Sequence, residues 1–134
     1  MRTGRCQCGN VVFACAGSPV ALFVCHCNEC RRQSASAFGM SYLAPRDDLR
    51  LLQGSPKNWQ RQADSGNTVN CFFCPVCGTL LWHENSGSPE TVTVKAGSLD
   101  EPVDFADAIH IWVSRKLPGV DVPQGAAQFL EEPT

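Results

Sequence analysis

Residues 68–83 read Thr68-Val69-Asn70-Cys71-Phe72-Phe73-Cys74-Pro75-Val76-Cys77-Gly78-Thr79-Leu80-Leu81-Trp82-His83. Two strand-like runs, Thr68 to Phe73 and Thr79 to His83, flank a Cys-x-x-Cys-Gly turn that has the form of a zinc knuckle. Two thiolates carried on one turn can reach one metal, and the glycine that follows lets the backbone bend so that amide hydrogens face the sulphurs. A knuckle supplies two ligands, so a closed tetrahedral site needs two more from another part of the chain.

Working outward, Cys6-Gln7-Cys8-Gly9 offers just two. Pairing Cys6 and Cys8 with Cys74 and Cys77 gives a closed structural Zn²⁺ site that staples the N-terminus to the middle of the chain. Free or disulfide-bonded thiols are the competing reading. A third cluster, Cys25-His26-Cys27-Asn28-Glu29-Cys30, holds three cysteines. Three protein ligands leave one tetrahedral position for water or a substrate atom, as catalytic zinc sites require. A second purely structural metal, closed by His26, Cys15 or Cys71, stays open as an alternative. An iron–sulphur cluster needs a fourth cysteine, and none lies nearby in sequence.

His26, set between two ligand cysteines, is expected to point away from the metal as a hydrogen-bonding or core residue. Cys15 shares a strand side with Val11 and Phe13, and Cys71 shares one with Val69 and Phe73, so both read as buried apolar thiols. His83 and His110, each close to a tryptophan, read as packed residues.

The rest of the chain breaks into short apolar or alternating runs separated by Gly, Pro, Ser and Asn, which predicts a mainly β protein. Expected strands are Asn10 to Cys15, Val20 to Val24, Ala37 to Leu43, Asn58 to Arg61, Thr68 to Phe73, Thr79 to His83, Thr91 to Lys95 and Ile109 to Val113. The one helical candidate is a short turn over Asn28 to Ser36. From Lys116 the Pro and Gly content rises, so residues 116–134 are expected to be a loosely packed tail of a single domain spanning 1–134.

Composition sets the class. The chain has 134 residues and nine cysteines, an odd number that leaves at least one thiol outside any all-disulfide scheme. With 11 Lys+Arg against 13 Asp+Glu there is no large positive field, which argues against a nucleic-acid partner. The longest apolar run, Val20 to Cys25, is far short of a membrane span. Met1 to Cys6 lacks the apolar stretch of a secretory signal, so a reducing cytoplasm is the expected compartment.

These residues carry a family resemblance. The chain resembles the glutathione-dependent formaldehyde-activating enzyme family, which also includes centromere-protein-V-like proteins. The shared features are Cys6-x-Cys8-Gly9, the Cys25-His26-Cys27-x-x-Cys30-Arg31-Arg32 core, Ser65-Gly66 leading into Phe73-Cys74-Pro75-x-Cys77-Gly78-Thr79-x-Leu81, the Val94-Lys95-Ala96-Gly97-Ser98-Leu99-Asp100 block and His110-Ile111-Trp112. The resemblance implies a β-tent fold of small antiparallel sheets with two zinc ions per chain. It gives Cys6, Cys8, Cys74 and Cys77 the structural site and Cys25, Cys27 and Cys30 the catalytic one. The chain departs from many members at Cys71, where they carry an arginine, and at Gly119, where they carry an aromatic.

The activity implied is carbon–sulphur lyase chemistry of the S-(hydroxymethyl)glutathione synthase type, joining a glutathione-like thiol to formaldehyde or a related small aldehyde. Glutathione carries two carboxylates, so cations near the metal are expected to bind it, and Arg31, Arg32 and Lys95 are the candidates. The rival is a non-catalytic zinc-stabilised β-tent module that binds a protein partner.

Overall fold

The computed structural model describes residues 1–133. Ten strands and one short helix follow in the order β1 (Arg2–Arg5), β2 (Val12–Cys15), β3 (Ala21–Cys25), α1 (Asn28–Ser34), β4 (Gly39–Pro45), β5 (Leu49–Gln53), β6 (Lys57–Gln62), β7 (Thr68–Phe73), β8 (Leu80–Asn85), β9 (Thr91–Lys95) and β10 (Ile109–Ile111). The protein is mainly β, as its periodicity predicts.

The strands form two sheets, a three-stranded one ordered β1-β2-β5 and a seven-stranded one ordered β10-β3-β4-β9-β8-β7-β6. All pairings are antiparallel except that of β10 with β3. Between the sheets lies a core in which Val11, Phe13 and Cys15 meet Tyr42, Trp82, Val92 and Val94. Trp82 anchors it, with Phe13 edge-on at 5.9 Å and Phe72 stacked at 5.3 Å between ring centroids. Burying such large apolar side chains contributes roughly 2 kcal/mol each relative to exposure. Gly4 is required where β1 crosses this core, because a Cβ there would collide with the Phe13 ring.

Two strands have no counterpart in the sequence reading. Arg2–Arg5 is polar and Leu49–Gln53 is mostly exposed, so neither shows the alternation of a half-buried strand. Both are recruited by β2, which pairs with each of them across the small sheet. At the other end, β10 stops two residues before the expected Val113, because Trp112 takes a left-handed backbone (φ 56°). The chain beyond Lys116 returns to β10: His110 N–H donates to the Ala127 carbonyl at 2.9 Å and Phe129 N–H to the His110 carbonyl at 2.9 Å.

The seven-stranded sheet has a second face, turned away from this core. Register places Phe23 opposite Ser41 and Ser41 opposite Lys95, Thr93 opposite His83, His83 opposite Cys71, and Cys71 opposite Trp59. Side chains alternate along a strand, so Cys25, Ser41, Lys95, His83, Cys71 and Arg61 share the face turned away from Tyr42, Val94 and Trp82. Helix α1 lies across that face: Gln33 donates to the Cys71 sulphur at 3.1 Å, and Glu29 reaches Arg61 at 3.8 Å.

Candidate functional site

Four sulphurs, from Cys6, Cys8, Cys74 and Cys77, lie within 4.8 Å of one another. They are held by two knuckles of the same design. Gly9 and Gly78 both take positive φ (81° and 80°), and each returns its N–H to the carbonyl of the first cysteine of its pair, Cys6 and Cys74, at 3.1 and 2.9 Å. The bend turns amides onto sulphur: Val11 N–H donates to Cys6 Sγ at 3.2 Å and Val76 N–H to Cys74 Sγ at 3.4 Å. Thr79 locks the two halves together, accepting from Gln7 N–H at 3.0 Å while its hydroxyl meets Cys77 Sγ at 3.3 Å. The Thr79 hydroxyl is also the largest influence that lowers the Cys77 thiol, to about 5. Buried Cys6 and Cys74 thus anchor the cluster at the edge of the core.

A second trio, Cys25, Cys27 and Cys30, likewise has all its sulphurs within 4.8 Å. Here the spacing is read by a strand end and a helix start. Cys25 closes β3, and Cys27 is the N-cap of α1, its sulphur accepting the Cys30 N–H at 3.2 Å. An N-cap and the third residue after it face each other across the first turn, which brings Cys30 back to Cys27. Gly39 lets Cys30 approach β4, since a Cβ there would stand 3.2 Å from the Cys30 Cβ. Among the described residues no fourth Cys, His, Asp or Glu joins this trio.

Both donor sets fit a soft or borderline cation such as Zn²⁺. Sulphurs this close cannot all carry negative charge without one. Hydrogen bonds from Cys25 and then Cys30 hold Cys27 far below the usual thiol range, and the same contact with Cys27 drives Cys25 up. One anion therefore excludes the next, and a divalent ion at the centre removes that conflict.

A cleft of about 850 Å³ runs from Cys6, Gly78 and Thr79 of the four-sulphur cluster to the end of α1, the start of β4 and the loop after β9. Arg5 and Asp100 put opposite charges on its wall, which also includes Lys95 and Gly39, the glycine that stands against Cys30.

A family model for the glutathione-dependent formaldehyde-activating enzyme matches residues 1–115, most of the chain and every cysteine in both clusters. The chain belongs to that family. A crystal structure of a Rhodobacter sphaeroides protein is similar over 94% of this chain and 97% of the other, with a TM-score of 0.58 and 23% identity, and so shares the fold.

Within this family member the structure sorts the remaining sequence candidates. His26 does turn away from the trio: its Nε2 meets His110 Nδ1 at 3.0 Å in a buried, stacked pair, and burial lowers both imidazoles from their usual value. Cys15 lies in the core between the sheets. Cys71 is buried as expected, but on the α1 side of the large sheet, where Gln33 bonds it. Arg31 and Arg32 ride on α1 and border no part of the cleft, and Arg32 is 72% exposed beside Glu29 at 4.0 Å.

Lys95 borders the cleft, yet its Nζ is buried with no hydrogen-bond partner. Burial lowers its amine, opposed chiefly by the charge of Cys30 and Cys25. His83, read as a packed residue, stands on the same face with its Nδ1 buried and unpartnered; burial, with Lys95 next in weight, pushes it down to about 3, so it is a neutral imidazole. Arg5 was not among the sequence candidates. Its signal is position alone, one residue before a ligand cysteine.

Proposed function

We propose that the protein joins a glutathione-type thiol to formaldehyde or a related small aldehyde, giving the S-(hydroxymethyl) adduct, and splits the same carbon–sulphur bond in reverse. The observation that carries this reading is the trio Cys25, Cys27 and Cys30, which lacks a fourth protein donor among the described residues and whose neighbour Gly39 lines a cleft of about 850 Å³. A purely structural module has no need of an incomplete donor set next to a cleft.

In this reading two zinc ions are bound per chain, a structural one by Cys6, Cys8, Cys74 and Cys77 and a catalytic one by Cys25, Cys27 and Cys30. Zinc in the three-cysteine centre supplies a position at which a thiol is held as its thiolate. The chain's own residues hold the reactants together. Arg5 meets a carboxylate of the thiol substrate and Asp100 its ammonium, which lays a zwitterionic tripeptide along the cleft with its sulphur towards Cys30. Arg31 and Arg32, outside the cleft wall, are assigned no contact with it.

The reaction balances without any redox partner. Sulphur bonds to the carbonyl carbon, the carbon–oxygen π pair moves to oxygen, and the proton given up by the thiol ends on the new hydroxyl. Holding thiolate and aldehyde in contact is the larger catalytic contribution, because three anionic donors weaken the Lewis acidity of the metal. Nine free thiols suit a reducing compartment such as the cytoplasm.

The test is NMR exchange spectroscopy on glutathione and formaldehyde with the metal-loaded protein and with a Cys27→Ser variant. The wild type is expected to raise the exchange rate well above the uncatalysed one and the variant to return it to background. Equal exchange with wild type, variant and buffer overturns the reading.

A further inference from the structure

Charge on the α1 side of the large sheet is unevenly matched. Arg61 has Glu29 at 3.8 Å. Lys95, on the same face, has no partner: its Nζ is buried and unbonded, and register sets it opposite Ser41, two residues along β4 from Gly39, which pairs with Cys25 and stands against Cys30. The remaining neighbours cannot supply an anion. His83 is a neutral imidazole, and Ser41, directly opposite Lys95 on β4, carries no charge. An ammonium left in this state is costly unless an anion comes to it.

Lys95 is placed to receive one. It lines the cleft, while its charge is withdrawn from solvent. Backbone N–H groups serve both clusters, from Val11, Val76 and Cys77 in the four-sulphur one, together with the hydroxyl of Thr79, and from Cys30 in the trio, where the buried Lys95 ammonium stands in addition. Backbone donors are enough where the ligand set is complete. A positive charge is needed where one more anion must be admitted.

We propose that Lys95 is the counter-cation for a fourth, anionic ligand at the three-cysteine centre, and that it makes this centre select a thiolate over a neutral ligand. The inference rests on reading Cys25, Cys27 and Cys30 as a metal centre. Three thiolates around a divalent ion leave one net negative charge, and a thiolate entering as the fourth ligand, its proton lost to solvent, adds another. Lys95 cancels one of the two. A neutral fourth ligand adds no charge and gains nothing from the ammonium. Lys95 is thus a positioning residue acting on the ligand's charge, not a contact for the carboxylates of glutathione.

The test uses the full chain loaded with Co²⁺ and two small probes, 2-mercaptoethanol as the anionic ligand and imidazole as the neutral one, each titrated through the metal's visible and charge-transfer bands. In Lys95→Met the dissociation constant for 2-mercaptoethanol is expected to rise about tenfold or more, and that for imidazole to change by less than about twofold. Lys95→Arg, which keeps the charge, is expected to stay within about threefold of wild type for both. Parallel losses for the two probes in Lys95→Met, or no loss for the thiol, overturn the proposal. If Lys95→Met does not fold, Lys95→Gln decides on the same criteria. Binding of only one Co²⁺ per chain, seen before any probe is added, overturns the metal-centre reading and this proposal with it.

Discussion

The two cysteine clusters use the same atoms for different ends. In the four-sulphur cluster both pairs sit on turns bent by a glycine with positive φ, two of the four sulphurs are fully buried, and backbone amides point at sulphur from both turns. It joins β1 and β2 to β7 and β8, segments more than sixty residues apart in sequence. The three-sulphur cluster joins only neighbours, the end of β3 and the start of α1. Its surroundings are side chains with functional groups: Lys95, His83 and Gln33. A site that closes a long loop contributes stability, and one that spans six residues contributes little, because little chain entropy is at stake.

The sharpest way to break this comparison is to remove one ligand from each cluster. Cys77→Ser is expected to cost more than about 4 kcal/mol, leaving a protein that aggregates or lacks a cooperative thermal transition by calorimetry. Cys27→Ser is expected to cost less than about 2 kcal/mol, because serine is itself a good N-cap and can accept the Cys30 N–H in place of the sulphur. Metal analysis of that variant should show one zinc per chain instead of two. Equal destabilisation by the two substitutions would abolish the division of labour.

Two glycines give a finer test. Gly78→Ala forces alanine into a left-handed conformation with open space around it, so a loss of about 1 to 2 kcal/mol in denaturant unfolding is expected from the backbone alone. Gly39→Ala meets the Cys30 Cβ at 3.2 Å with no unusual φ. It is expected to leave global stability within about 1 kcal/mol while weakening the second metal equivalent roughly tenfold in a chelator competition. If Gly39→Ala acts on stability and Gly78→Ala on metal affinity, the assignment of roles is reversed.

The smallest effect is a pH dependence on the face beneath α1. His83 is held down to about 3 in the fold, against a usual value of 6.5, so from pH 6.5 down to 3 the unfolded chain binds a proton that the folded one refuses. Stability therefore falls as pH drops through that window. Between pH 7 and pH 6, where the loss from this one group is about 0.7 kcal/mol, the thermal midpoint of metal-loaded wild type should fall more than that of His83→Gln. Parallel falls would remove His83 as the source.

Much of this was legible in the chain. The spacings Cys6-x-Cys8, Cys74-x-x-Cys77 and Cys25-x-Cys27-x-x-Cys30 announce three segments able to gather sulphurs, since two or three residues on a turn or helix start meet whatever the rest of the fold does. Strands β7 and β9 match their expected bounds because Thr68 to Phe73 and Thr91 to Lys95 alternate cleanly between buried and half-buried positions. The helix over Asn28–Ser34 begins where Cys27 caps it and ends at Ala35, whose left-handed φ of 52° stops it. Strands β1 and β5 were hidden because their partner β2, rather than their own pattern, makes them strands.

By itself, then, the sequence determined the class of the protein and its three cysteine-bearing segments, which follow from short-range spacing. Only the tertiary structure decided which faces meet. The register across β4, β9, β8 and β7 sets Lys95, His83 and Cys71 on one face beneath α1, and the crossing of the two sheets puts Arg5 and Asp100 on the wall of the cleft. Register is a long-range property: a slip of one residue would turn every one of those side chains into the core, and no local pattern records it.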